Sequence, residues 1–176
     1  MSGSLVKIDE KIITSAVGSV ELGGTNWDSS YDVYVVTVNQ AETDKSSDNP
    51  LYIRFLASSS ADTSANYDYA TKRFKTNASY DNDNNTNQTF INHTMGIDNA
   101  TGSQINGIFY LFSFNETSEY SFMSTEMSVV NSNDILAGAQ GGAVLTVEQA
   151  TNGIQFFFTS DNFDNGTFKL FGLKKG

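Results

Sequence analysis

Apolar residues in this chain recur at every second position in short runs, separated by clusters of polar, turn-forming residues. That period of two marks β-strands, whose side chains point alternately to the two faces of a sheet. The densest example closes the chain, GIQFFFTSDNFDNGTFKLFGLKK over residues 153–175. Its apolar runs, 154–159 and 167–173, flank the polar segment 160–166 and predict a β-hairpin. Ile154, Phe156, Phe158, Phe168 and Leu170 then line one sheet face. Phe157, Phe171 and Leu173 point the other way, so the pair is expected either to be covered on both sides or to pack against another subunit.

Upstream, residues 4–8 predict a short edge strand and 12–22 a second one ending at the Gly23-Gly24 turn. YDVYVVTVN, 31–39, reads as a central strand, with Tyr31, Val33, Val35 and Thr37 on one face and Tyr34, Val36 and Val38 on the other. A polar connection over 40–50 leads to a strand at 51–57 and an exposed loop at 58–64. Residues 67–80 suit a strand, an irregular rim or a short helix near 69–75. DNDNNTNQT, 81–89, is the most polar segment and is expected to be a loop tip. Strands follow at 90–97, 107–114 and 120–130. In the second of these Ile108, Tyr110, Phe112 and Phe114 share one face, and Phe109 and Leu111 the other. After a turn region at 131–142 and a strand at 143–147, the closing pair brings the total to roughly eight to ten strands. Short strands with no helical stretch between them imply an all-β fold, an antiparallel two-sheet β-sandwich of jelly-roll-like form. One such domain is expected over 1–176, with residues 1–12 as an extended N-terminal segment.

Composition supports this reading and narrows the partners. A hydrophobic share of 39% with 13 phenylalanines is enough for a core, while the abundance of Ser, Thr, Asn and Asp disfavours long helices. Twenty acidic residues against 10 basic ones give a formal charge of −10, a field that repels nucleic acid and anionic membranes. Proteins, glycans or cations are the expected partners. The chain has no cysteine, which removes disulfide and thiolate chemistry. MSGSLVKIDEKIITS lacks the apolar stretch of a signal peptide, and synthesis in the cytoplasm is expected.

The segments SGSLVKIDEKII, WDSSYDVYVVTVN and LYIRFLAS, together with the chain ending, resemble a family of small bacteriophage virion structural modules found in marine and cyanobacterial phages. The terminal pattern F-x-S-x-x-x-x-x-G-T-x-K-L-x-G-L is carried by Phe158, Ser160, Gly166, Thr167, Lys169, Leu170, Gly172 and Leu173, with Phe171 where the family commonly has tyrosine. The resemblance covers both ends of the chain more than its middle. It implies a non-enzymatic structural protein located in the virion, and a single domain with no fibre-like repeat or long stalk points first to a capsid decoration or cement protein. Its partners would be other virion proteins, the major capsid protein foremost, and further copies of itself, a trimer among the cyclic arrangements. The alternative is a tail or tail-fibre component that binds a host receptor or glycan.

Chemistry beyond assembly finds little footing in the residues. His93 is the only histidine and has no cysteine to share a metal with, so it is read as a strand-face or turn residue. The DNDNNT run from Asp81 lacks the later glycine and glutamate of a calcium loop, and Asp161, Asp164 and Asn165 read first as a turn. Glu116, Glu119 and Glu126 do not define a glycosidase pair, and GAQGG at 138–142 lacks the Lys-Ser/Thr of a phosphate loop, so it reads as a flexible turn. No catalytic residue, cofactor or metal is expected. Trp27, Tyr31, Tyr67, Tyr69 and Tyr80, read as exposed, supply either a sugar-stacking platform or caps and subunit contacts, and Phe157 and Phe171 are interface candidates.

Overall fold

The computed structural model describes residues 4–77, 79–93 and 95–174. Lys175, at the end of the expected hairpin, and residues 1–3 of the expected N-terminal segment lie outside the described residues. The strands in chain order are β1 (Leu5–Ile13), β2 (Ser19–Gly23), β3 (Val33–Thr43), β4 (Tyr52–Ala57), β5 (Ser60–Ala61), β6 (Tyr67–Lys75), β7 (Tyr80–Gln88), β8 (Ile91–Asn92), β9 (Gln104–Phe112), β10 (Ser121–Val130), β11 (Leu136–Leu145), β12 (Thr151–Phe157) and β13 (Phe163–Leu173). They form two antiparallel sheets packed face to face, the expected all-β sandwich. The larger has the order β1-β13-β3-β9-β10-β11-β6-β7; the smaller runs β2-β12-β4-β5, with β8 also on β4.

The two closing strands do not form a hairpin. β12 pairs with β2 and β4 in the small sheet, whereas β13 pairs with β1 and β3 in the large one. The connection at 158–162 therefore crosses between the sheets, and the apolar faces meet through the core instead of lying side by side. Phe156 stands 5.5 Å from Phe168 and 5.3 Å from Phe109 of β9, and Phe158 stands 4.6 Å from Phe163. All five rings are buried, as are Ile154 and Leu170. Burying this many aromatic side chains, at roughly 1.5–3 kcal/mol each, contributes much of what holds the sheets together.

Other expectations change for identifiable reasons. Residues 81–89 are not a loop tip: they lie largely in β7, the outer strand beside β6, with Asp83 ion-paired to Arg73 and Asp81 to Lys75. A polar strand suits an edge, where apolar side chains would invite aggregation. Residues 69–75 are strand throughout. GAQGG lies inside β11, between β10 and β6, so it is no flexible turn. The N-terminal segment is β1, paired in register with β13 apart from a bulge between Lys7 and Asp9.

Gly166 sits at φ +145 within β13, where the register with β3 shifts, and not at a turn. Gly172 is close-packed: a Cβ there would lie 2.2 Å from the Tyr31 ring. Gly172→Ala is expected to cost roughly 1–3 kcal/mol, as overpacking does. The cost should shrink in a Tyr31→Ala background; equal costs in the two backgrounds, read by urea denaturation, would show that the ring is not the obstacle.

Candidate functional site

An antiparallel sheet with one face on the core normally turns polar side chains outward. The large sheet does not. Phe109 and Leu111 of β9 point into the core, as do Tyr34, Val36 and Val38 of β3, yet the alternate positions are apolar too. Ser113, at φ 58, breaks the alternation after β9, so that Phe114 turns inward while Ile108, Tyr110 and Phe112 stay outside.

The register stacks these outward residues in rows across the sheet. Val33, Phe112, Phe122 and Val144 form one row across β3, β9, β10 and β11. The next runs Phe171, Val35, Tyr110, Ser124 and Gly142. The third carries Lys169, Thr37, Ile108, Glu126, Gln140 and Lys72. Phe122 is 44% exposed, Ile108 41%, and Tyr110 and Phe112 38% each. Single exposed apolar residues are ordinary, but a contiguous patch of this kind marks a surface that meets another molecule.

Grooves run along this face where small residues leave space. One, of about 620 Å³, lies over Gly138, with Asn39, Asn106, Glu126 and Gln140 among its walls beside Ile108 and Phe74. Another, of about 510 Å³, follows Ala70, Gly142 and Val144 next to Phe122.

Charge over these three rows is balanced. Lys7, Lys169 and Lys72 share the outer rows with Glu10, Asp68 and Glu126, three against three, in a chain of net charge −10. Glu10 accepts hydrogen bonds from Lys7 at 2.6 Å and lies 3.1 Å from Lys169. The bond from Lys7, and then that from Lys169, hold its carboxyl below the usual carboxylate range.

The expected ligand residues do not come together. Tyr67 and Tyr69, expected at the surface, are buried in the core, which corrects that expectation. Tyr67 is a cross-brace: its hydroxyl donates to the Asp62 carbonyl at 3.0 Å and accepts from the Phe55 amide at 3.0 Å. Burial pushes its phenol well above the ordinary tyrosine range. Trp27 is half-buried 4.0 Å from the Tyr34 ring, its indole N–H donating to Asn115 Oδ1. Tyr31 packs edge-on to Tyr34, whereas Tyr80 is exposed on β7 opposite Phe74. No common platform joins these rings.

Phe171 does lie on the outer face of the large sheet. Phe157 is on the opposite outer face of the molecule, packed with Tyr52 and Phe90 under the Arg54 guanidinium, 4.3 Å from the ring centroid. The sequence does not single out Tyr110, Phe112 and Phe122 as surface residues, although the two-sided apolar pattern at 107–114 is a signal for the first two.

Among the described residues no group of three or more His, Asp or Glu side chains is placed to hold a metal ion. Asp161 is engaged by Lys45 at 2.9 Å. His93 is buried edge-on against Tyr69, 5.8 Å between centroids. No protein-family model and no curated protein matches the chain.

Proposed function

We propose that this chain is a non-enzymatic structural protein of a phage particle, a capsid decoration or cement protein in the first instance. The observation that carries the reading is the apolar outer face of the large sheet, a surface expected of a component that works by assembly. The resemblance of both chain ends to phage virion modules supplies the setting, and the acidic field disfavours packaging against nucleic acid. Polar loops and the polar strand β7 remain at the periphery.

The 620 Å³ groove favours a second reading, a tail component that binds glycan, because amides and a carboxylate beside apolar side chains suit sugar hydroxyls and ring faces. Incubation with expanded empty capsids separates the two. A decoration protein should co-sediment at a fixed, saturable ratio, and cryo-electron microscopy should find it ordered on the shell. Density at the tail alone, with saturable binding to host-surface glycan, would replace decoration by the second reading.

A further inference from the structure

We infer that the outer face of the large sheet is covered by a second copy of this chain, in a face-to-face dimer whose two-fold axis runs along β9. The inference rests on the assembly reading, since it names what covers the face on which that reading depends.

Self-complementarity is the first argument. A two-fold axis parallel to the strands and centred on β9 lays β3 over the partner's β10, β13 over its β11 and β1 over its β6, because those strands are equidistant from β9 in the sheet order. Reading the rows in this way, Phe171 falls over glycine 142 of the second copy, Phe122 over valine 33, and Tyr110 and Phe112 meet their own counterparts. Phe171 and Phe122 thus face smaller side chains, while on the axis the Tyr110 and Phe112 rings pair with their own kind, as aromatic side chains do. In the third row Lys72 falls over glutamate 10 and Gln140 over lysine 169, each twice by symmetry. The mirrored arrangement puts opposite charges at both rims of an apolar centre, the anatomy of a stable interface.

Electrostatics gives the second argument. Two molecules of charge −10 repel unless they meet where the local charge cancels, and the three rows that meet balance three lysines against three carboxylates, with Glu42 lying beyond them. A basic partner would instead be drawn to the acidic remainder of the surface.

Area gives the third. β7 has no counterpart across this axis, so seven strands about 4.8 Å apart and a length of about 20 Å along them present on the order of 650 Å². Two such faces bury about 1,300 Å² together, within the range of specific interfaces. An isologous contact of this kind closes on itself and leaves the outer face of the small sheet, with Phe157, free to meet the particle.

Sedimentation equilibrium of the whole chain tests this. Wild type should be a dimer at micromolar concentration, and Tyr110→Asp should raise the dissociation constant on the order of 100-fold. Glu10→Lys and Lys72→Glu should each weaken the dimer about tenfold, and the two together should weaken it less than the product of the single effects, a partial rescue limited by Lys7 and Lys169 beside position 10 that general destabilisation would not produce. Because the chain has no cysteine, Ser124→Cys should also cross-link to itself through a short bismaleimide, while Ser19→Cys, on the small sheet, should not. A monomer up to about 100 µM, a dimer indifferent to Tyr110→Asp, or absence of charge-swap rescue would overturn the dimer. If wild type is monomeric yet still saturates capsids, the dimer fails and the assembly reading stands. Failure to bind particles by a proven dimer fails the assembly reading alone.

Discussion

Replacing Phe156 with alanine should destabilise the protein by about 3–5 kcal/mol, the range for a fully buried phenylalanine. Its side chain is 0% exposed and touches the opposite sheet twice, through Phe109 and Phe168. The loss combines the transfer free energy of the ring with an unfilled cavity, since aromatic neighbours on two different strands cannot both collapse into the gap. Against a total stability of roughly 5–15 kcal/mol, such a loss leaves the variant near the edge of folding. Urea denaturation followed by tryptophan fluorescence reads it directly, because Trp27 lies in the same sandwich. A Phe156→Ala/Phe168→Ala cycle should show coupling of roughly 0.5–3 kcal/mol. A single-variant loss below about 1 kcal/mol, with no coupling, would mean that these rings do not join the sheets.

That experiment bears on the feature the sequence made most prominent and the fold rearranged. Alternation at 154–158 and 168–170 correctly separates inward from outward side chains, because the period of a strand is local. It carries no information about which strand lies alongside. A polar segment such as 160–166 serves equally well as a hairpin turn and as a crossing between sheets, and the choice is made by long-range pairing with β1, β3, β2 and β4. β7 is illegible for a related reason: its residues have poor strand propensity, and pairing with β6, the ion pairs to Arg73 and Lys75 and hydrogen bonds to Asp68, Tyr69 and Asn92 hold them extended.

The candidate site was half legible. A strand apolar on both faces, as at 107–114 and 31–39, announces that something covers both sides, yet the pattern cannot say which side is the core. In β9 the outward set, Ile108, Tyr110 and Phe112, is at least as apolar as the inward Phe109 and Leu111. Only the left-handed turn at Ser113 tells Phe114 from the residues before it. Tyr67 and Tyr69 misled in the opposite sense, since a tyrosine can be buried wherever backbone groups accept and donate to its hydroxyl, as Asp62 and Phe55 do for Tyr67.

Acidification from about pH 7 to pH 4 should remove roughly 3 kcal/mol of stability through His93 alone. The ring is fully buried, and burial is the main reason its pKa falls from 6.5 to about 4; the backbone of Gly142 opposes that shift and the Arg73 charge adds to it. In the unfolded chain the ring titrates near its ordinary value, so between about pH 6.5 and pH 4 the unfolded state takes up a proton that the folded state refuses. The contribution is therefore complete above pH 6.5, declines as pH falls, and is exhausted below about pH 4. Four carboxyls are also held low: Glu10 by its bonds from Lys7 and Lys169, Asp28 by those from Ser30, Asp44 by those from Asn162, and Asp62 because, although burial pushes it up, the bonds from Ser64 and Gln149 together outweigh that push. Their stabilisation begins to fall at about pH 5 and goes on falling at lower pH, equally in wild type and in His93→Gln, so it cancels when the two profiles are compared. Since the chain has one histidine, the higher window belongs to it. Stability measured in urea at intervals from pH 7 to pH 4 should fall steeply for wild type and about 3 kcal/mol less for His93→Gln, whatever the absolute stability of the variant. Parallel profiles for the two proteins would mean that His93 takes up a proton in the folded state as readily as in the unfolded chain, and that the interior against Tyr69 is wetter than its burial implies.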